Sequence, residues 1–356
     1  MTYRFHCILL VTVLISNTPA KIINVPSDYP RIQEGLDACM EGDTVIVLPG
    51  TYEENIDFYG INVILASMYL QTGDSKFIHE TIISGAKEEG KTGPVITFSS
   101  GEDSTSAVIG FTLKNGRMPI GGGIYCNNAS PRLLNIIIKE NRAEKGAGIQ
   151  LYESSPTITN VAILDNRARW SSAMHIARAS SPRLNNVLII NNVTSFNAGW
   201  LYCEDFSNPI FNNVTIASNG ESTAPLSAKE KIRYERGDRD NIDPARLHGM
   251  HISNGSHPMF KNSILWNNPQ QEIFIKKYGD PSSVSFAYTT VKGGVQSIIN
   301  NDDAGQILWK KGNLLSNPKF IAPEKRNYGL DNLSPCRGAG EISDMGVDDR
   351  WGGILE

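Results

Sequence analysis

The chain has 356 residues, enough for one large domain or two ordinary ones. It carries 33 Lys and Arg against 37 Asp and Glu, a formal net charge of −4, and no basic run outside one insertion, which argues against nucleic acid as a partner. Beyond residue 20 no stretch approaches the roughly 18 consecutive apolar residues of a membrane span, so none is expected.

Residues 1–20, "MTYRFHCILLVTVLISNTPA", combine Arg4, an apolar stretch from Cys7 to Ile15, and Thr18 and Ala20 at the −3 and −1 positions of a cleavage site. They read as a secretory signal peptide, so the product is expected to be secreted, extracellular or periplasmic, with its domain at 21–356. Without Arg4 the mature chain holds 32 basic and 37 acidic residues, a charge of −5. The segment 25–58, "VPSDYPRIQEGLDACMEGDTVIVLPGTYEENIDF", predicts a short amphipathic helix. Asp28 is its expected N-cap, Pro30 lies in the first turn, and Ile32, Leu36 and Cys39 or Met40 form the apolar stripe.

A repeat follows. Aligned on Pro131, Pro156, Pro182, Pro209 and Pro258, the copies lie 25, 26, 27 and 49 residues apart. Four positions on come Asn135, Asn160, Asn186, Asn213 and Asn262. Seven on come Ile138, Ile163, Ile189, Ile216 and Leu265, and ten on come Asn141, Asn166, Asn192, Asn219 and Asn268. A period near 25 suits one turn of a β-solenoid, in which identical residues stack at about 4.8 Å, asparagines as amide ladders and isoleucines as core. Upstream of each proline a second strand alternates. Ile124, Ile149, Met174, Trp200 and Met250 are expected to point inward, as are Cys126, Leu151, Ile176, Tyr202 and Ile252. Tyr125, Gln150, His175, Leu201 and His251 between them point outward. Cys126 and Cys203 then stand three turns apart, roughly 14 Å by strand spacing, too far for a disulfide, and all four mature cysteines read as buried free thiols. The Asn-X-Ser/Thr triplets at Asn192, Asn213 and Asn254 are explained by ladder or turn positions rather than by glycosylation.

The 49-residue interval holds no second copy. Instead "ESTAPLSAKEKIRYERGDRDNIDPAR" (221–246) intrudes, with Ser227 and Glu230 as a capping box, Lys231 and Glu235 at i,i+4, and Gly237 as a stop; a helix over about 228–236 is expected. Long insertions in compact folds commonly build binding walls.

The repeat, the opening segment and the closing "NPKFIAPEKRNYGLDNLSPCRGAG" (317–340) together resemble the secreted bacterial right-handed parallel β-helix proteins of the pectate-lyase-like superfamily. The expected fold is all-β: a single-stranded right-handed parallel β-helix of about 25 residues per turn and about eleven turns, with a short N-terminal capping helix. The resemblance implies a secreted carbohydrate-active protein, a polysaccharide lyase or glycosidase acting on an acidic polysaccharide such as pectin or alginate, working as a monomer. Two alternatives stand beside it: a non-catalytic glycan-binding or surface-adhesion module, and an accessory role such as metal delivery. The superfamily's catalytic signatures are not intact here: Asp302-Asp303 follows His248-Gly249, the reverse of the polygalacturonase order, and "RASSPR" (178–183) only mimics the pectate lyase Arg-x-Pro-x-x-Arg element.

Lyase cleavage needs a cation, calcium or arginine, to neutralise the uronate carboxylate, and a base to take the α-proton. His175 and Arg178 with Glu153, Glu204 and Asp205 share one outward face over three turns and are the candidate catalytic group, with Ca2+ as the candidate cofactor. Arg142, Lys145, Arg167, Arg169 and Trp170, expected on loops after the asparagine ladder, and Lys231, Arg233 and Tyr234 of the insertion are candidate substrate contacts.

Overall fold

The computed structural model describes residues 19–85, 92–194, 199–221, 249–268, 272–300 and 304–348. The insertion helix with Lys231, Arg233 and Tyr234, and nearly all of the leader, lie outside the described residues. Each central coil supplies three strands: Arg132–Lys139, Arg142–Lys145 and Ile149–Tyr152 in one, Thr157–Leu164, Arg167–Trp170 and Met174–Ala177 in the next. Stacked in parallel, they form a sixteen-stranded, a five-stranded and a nine-stranded sheet. The longest path through the first sheet has eleven strands, but the third begins only at Ile56–Asp57, so coils carrying both faces number about nine rather than eleven. The difference arises at both ends: a helix occupies the third side of the first coil, and among the described residues no strand of the third sheet follows Gly305–Trp309 in the last.

That helix, α1 (Ile32–Asp37), buries Ile32 and Leu36, with Cys39 just beyond, while Met40 is exposed. Its first amides are not capped by Asp28. The Glu54 carboxylate from a neighbouring coil accepts from the Ile32 and Gln33 N–H groups at 2.9 and 3.1 Å, and Asp28 accepts from the Asn24 amide instead. A carboxylate from elsewhere in the fold satisfies the orphan donors and suits the positive end of the helix.

The interior follows the repeat. Ile138, Ile163, Ile189, Ile216 and Leu265 pair rung to rung and are fully buried, each removal from water contributing roughly 1.5–3 kcal/mol. Phe211, Phe260 and Phe286 form a stack with ring centroids 4.5 and 5.4 Å apart. Asn135, Asn160, Asn186, Asn213 and Asn262 hold φ of 53, 53, 55, 52 and 50°, bending each long strand at the left-handed conformation that asparagine tolerates best after glycine. The buried ladder runs through Asn141, Asn166, Asn192, Asn219 and Asn268, each Nδ2 donating to the next Oδ1 at 3.0, 3.0, 2.9 and 3.1 Å. Each also donates to a backbone carbonyl one coil back, so no amide is left unpaired.

A second ladder went unread in the sequence. The Oγ atoms of Ser154, Ser180, Ser207, Ser256 and Ser282 each accept a backbone N–H from the preceding coil at 3.1–3.2 Å. The four cysteines among the described residues, Cys39, Cys126, Cys203 and Cys336, are buried and unpaired, as expected. No helix among the described residues is long and apolar enough to cross a membrane.

Candidate functional site

Two outward columns run along the nine-stranded sheet. Register pairs Tyr125, Gln150, His175, Tyr202, His251 and Phe274 in the first. Leu201 and Cys203 therefore point inward and Tyr202 outward, one residue out of step with the sequence alignment, because this coil has an additional residue before its strand: Trp200, fully buried, takes the place of Ala173. The second column, two residues further, holds Tyr152, Ala177, Glu204, Ser253 and Lys276. Glu204 belongs here, whereas Glu153, Arg178 and Asp205 occupy the following corner at φ of 48, 56 and 57°. Flanking coils place Asn128 and Asn254 at this corner, in the same left-handed conformation. Glutamate and arginine bear that conformation less easily than asparagine.

The first column faces outward yet is covered: Gln150 is 0%, His175 2% and His251 3% exposed. The cause is the corner joining the five- and nine-stranded sheets. Gly121 and Gly146, at φ 74 and 62°, turn the chain tightly against it, and a Cβ on Gly146 would stand 2.7 Å from the Gln150 Oε1. His175 is thus no free surface base. Its Nδ1 lies 3.0 Å from Gln150 Oε1 and its Nε2 2.8 Å from Glu204 Oε1, and when Glu204 is ionised both contacts are satisfied with hydrogen on both ring nitrogens. Burial pushes the Glu204 carboxyl up, but the His175 hydrogen bond and the charges of His175, Lys145 and Lys276 outweigh it and hold Glu204 below its ordinary value.

Around this pair the rings of Tyr125, Tyr152, His175, Tyr202, His251 and Phe274 touch in sequence, with centroids 4.5–6.4 Å apart. Arg178 lies 4.4 Å over the Tyr152 ring and Lys276 5.0 Å over the Tyr202 ring. Burial lowers the Lys276 ammonium from its ordinary value, and Glu204 opposes the shift only in part. Lys276 was missed in the sequence because its coil lacks the Ser-Pro marker; carrying the alternation of Ile273 and Ile275 one residue on would have found it.

The basic residues expected on loops are strand residues. Arg142–Lys145 and Arg167–Trp170 belong to the five-stranded sheet, with Lys145 paired to Trp170 at its end beside the corner. Lys145 and Trp170 thus border the His175–Glu204 group, while Arg142 and Arg167 stand at the opposite end of their strands. Calcium takes about six to eight oxygen ligands. The candidate carboxylates do not converge on such a site: Glu204 faces His175, and Asp205 accepts from Asn254 Nδ2 at 2.7 Å. Among the described residues no group of three or more His, Cys, Asp and Glu is placed to hold a metal ion.

The family profile of the right-handed β-helix region matches residues 103–329. No curated protein sequence matches the chain. Among solved structures, the crystal structure of pectate lyase Pel9A superposes with a TM-score of 0.58 at 12% identity, covering 92% of this chain and 96% of that one. Pectin methylesterase from carrot gives 0.49 at 11% identity over 82% and 89%, and alginate lyase from Paenibacillus sp. str. FPU-7 gives 0.41 at 11% over 82% and 98%. At these identities the likeness is one of fold.

Proposed function

The chain belongs to the right-handed β-helix family, and on that scaffold we propose that it cleaves an acidic polysaccharide, of the pectin or alginate kind, by β-elimination at the corner between its five- and nine-stranded sheets. The observation that supports this reading most is the gathering of Lys145, Lys276 and Arg178 around Glu204 and a wall of tyrosine rings. Cations over aromatic faces suit a sugar carrying a carboxylate.

In this reading Arg178, exposed at its corner, neutralises the uronate carboxylate and so acidifies the α-carbon. Lys276, whose ammonium gives up its proton more readily than an ordinary lysine's, takes that proton as its neutral amine. The C–H electron pair forms the ring double bond, the bond to the glycosidic oxygen breaks, and that oxygen leaves with its electron pair and is protonated from solvent. His175, pinned by Gln150, holds Glu204 in place beside Lys276 and is a positioning residue. One chain supplies every group named, so a monomer suffices, and export by the leader at 1–20 brings it to such a substrate.

Incubation with polygalacturonate and with alginate, with and without a chelator, should release an ultraviolet-absorbing unsaturated uronate in both conditions. Lys276→Met and Arg178→Ala should each lower turnover about 100-fold or more while the melting temperature stays within a few degrees. Binding without any product would replace the reading with that of a glycan-binding module. Full activity in both variants would place the chemistry elsewhere.

A further inference from the structure

The five-stranded sheet carries a feature that the corner site does not use. Parallel register sets Arg117 against Arg142 and Arg142 against Arg167. Three guanidinium-bearing side chains therefore rise from directly adjacent rungs, about 4.8 Å apart at the backbone. All three are exposed. Like charges directly opposite on neighbouring strands oppose folding, by roughly 1 kcal/mol per pair even in water.

Lys114 and Lys139 also face each other in register, but there Lys139 has a carboxylate partner. Arg326 meets Asp165 at 2.8 Å, Lys139 meets Glu140 at 3.8 Å, and Arg337 meets Asp344 at 3.4 Å. No ion pair joins Arg117, Arg142 or Arg167 to a carboxylate among the described residues; Asp165, whose field reaches Arg167, is itself bound to Arg326. Alternation puts Arg169 on the same face as the column, with Glu144 the carboxylate between.

We infer that this column is a second binding site, a track for a linear polyanion whose carboxylates or sulfates follow one another along the solenoid axis. Guanidinium groups bind both anions through paired N–H donors. A track of stacked rungs offers one such group per rung, so a chain of regularly spaced charges engages several at once, where a lone anion engages one. The column starts about 10 Å from Lys145 and Trp170 along its strands, so it holds the polymer beside the corner site and does not depend on the chemistry proposed there.

The test measures binding of the full-length protein to polygalacturonate, to dextran sulfate and to neutral dextran, over a range of salt. The triple variant Arg117→Gln, Arg142→Gln, Arg167→Gln is compared with a charge-matched control, Lys310→Gln, Lys319→Gln, Lys325→Gln, drawn from exposed positions elsewhere. The arginine variant should lose about tenfold or more in affinity for at least one polyanion, with a shallower salt dependence, while the control stays near wild type. Which polyanion loses affinity identifies the anion as carboxylate or sulfate. Equal losses in the two triple variants would reduce the effect to net charge and overturn the track, as would unchanged binding in the arginine variant. Loss of product in Lys276→Met with polyanion binding retained would separate the two sites, whereas absence of any product from the wild type would bear on the corner site alone.

Discussion

At the scale of single residues, Lys276 and Glu204 make the sharpest prediction. Burial disfavours the Lys276 ammonium and the Glu204 carboxylate favours it. If the neutral amine is the base, activity rises with pH through the Lys276 titration, below the range of an ordinary lysine. Glu204→Gln removes the opposing charge and should move the rising limb of the pH–rate profile to lower pH. A limb that stays in place or moves up would dismiss Lys276 as the base. The site was only partly legible in the sequence. The outward position of His175 follows from strand alternation, whereas Arg178 sits at the corner beyond the strand and Glu204 in a coil whose register slips by one residue. What alternation does not convey is how closely the corner at Gly121 and Gly146 folds over the outward face, and this makes His175 a buried, bonded group rather than a free one.

At the scale of an element, the asparagine ladder has a direction. Every Nδ2 donates toward the C-terminal coils, and the last, Asn268, donates to Glu272 Oε2 at 2.7 Å. Burial raises the Glu272 carboxyl to about 7, against the Asn268 hydrogen bonds and the Lys292 charge that lower it. A carboxyl raised in the folded state contributes stability that is complete below its ordinary value of 4.5 and is lost as pH rises through about 7. Glu272→Gln keeps an acceptor for Asn268 without the buried charge, so its melting temperature should exceed the wild type's at about pH 8 and match it at about pH 5. An unaltered pH dependence would show that the ladder ends elsewhere. Within the ladder, Asn166→Leu strips a donor and an acceptor from its neighbours and should cost roughly 1–3 kcal/mol, read as a fall in denaturation midpoint. The ladder itself was plain in the sequence, since its asparagines recur at one offset. Its terminus was not, because Glu272 falls in a coil where the repeat has already lapsed.

For the molecule as a whole, the repeat specified the fold because stacking turns one-dimensional recurrence into columns. Cys126 and Cys203 illustrate it: they share a column three rungs apart with Leu151 and Ile176 between them. Their thiols, raised by burial, should resist labelling in the native protein and react together once denaturant opens the solenoid. Labelling of one in native protein would mean that the coils open separately. The turn count was less legible, since the first rungs lack the repeat and share their space with α1. One further consequence belongs to the ladder's spacing. Asn219 and Asn268 are 49 residues apart in the chain, yet their amides meet at 3.1 Å, as those of Asn141 and Asn166 meet at 3.0 Å across 25. Contour length between rungs is therefore decoupled from the pitch of the solenoid, and doubling it adds only about 0.6 kcal/mol of closure entropy. Such a scaffold works as a rack with a port between the ladder and the nine-stranded sheet, where foreign sequence is spliced in and the coils on either side still close on each other.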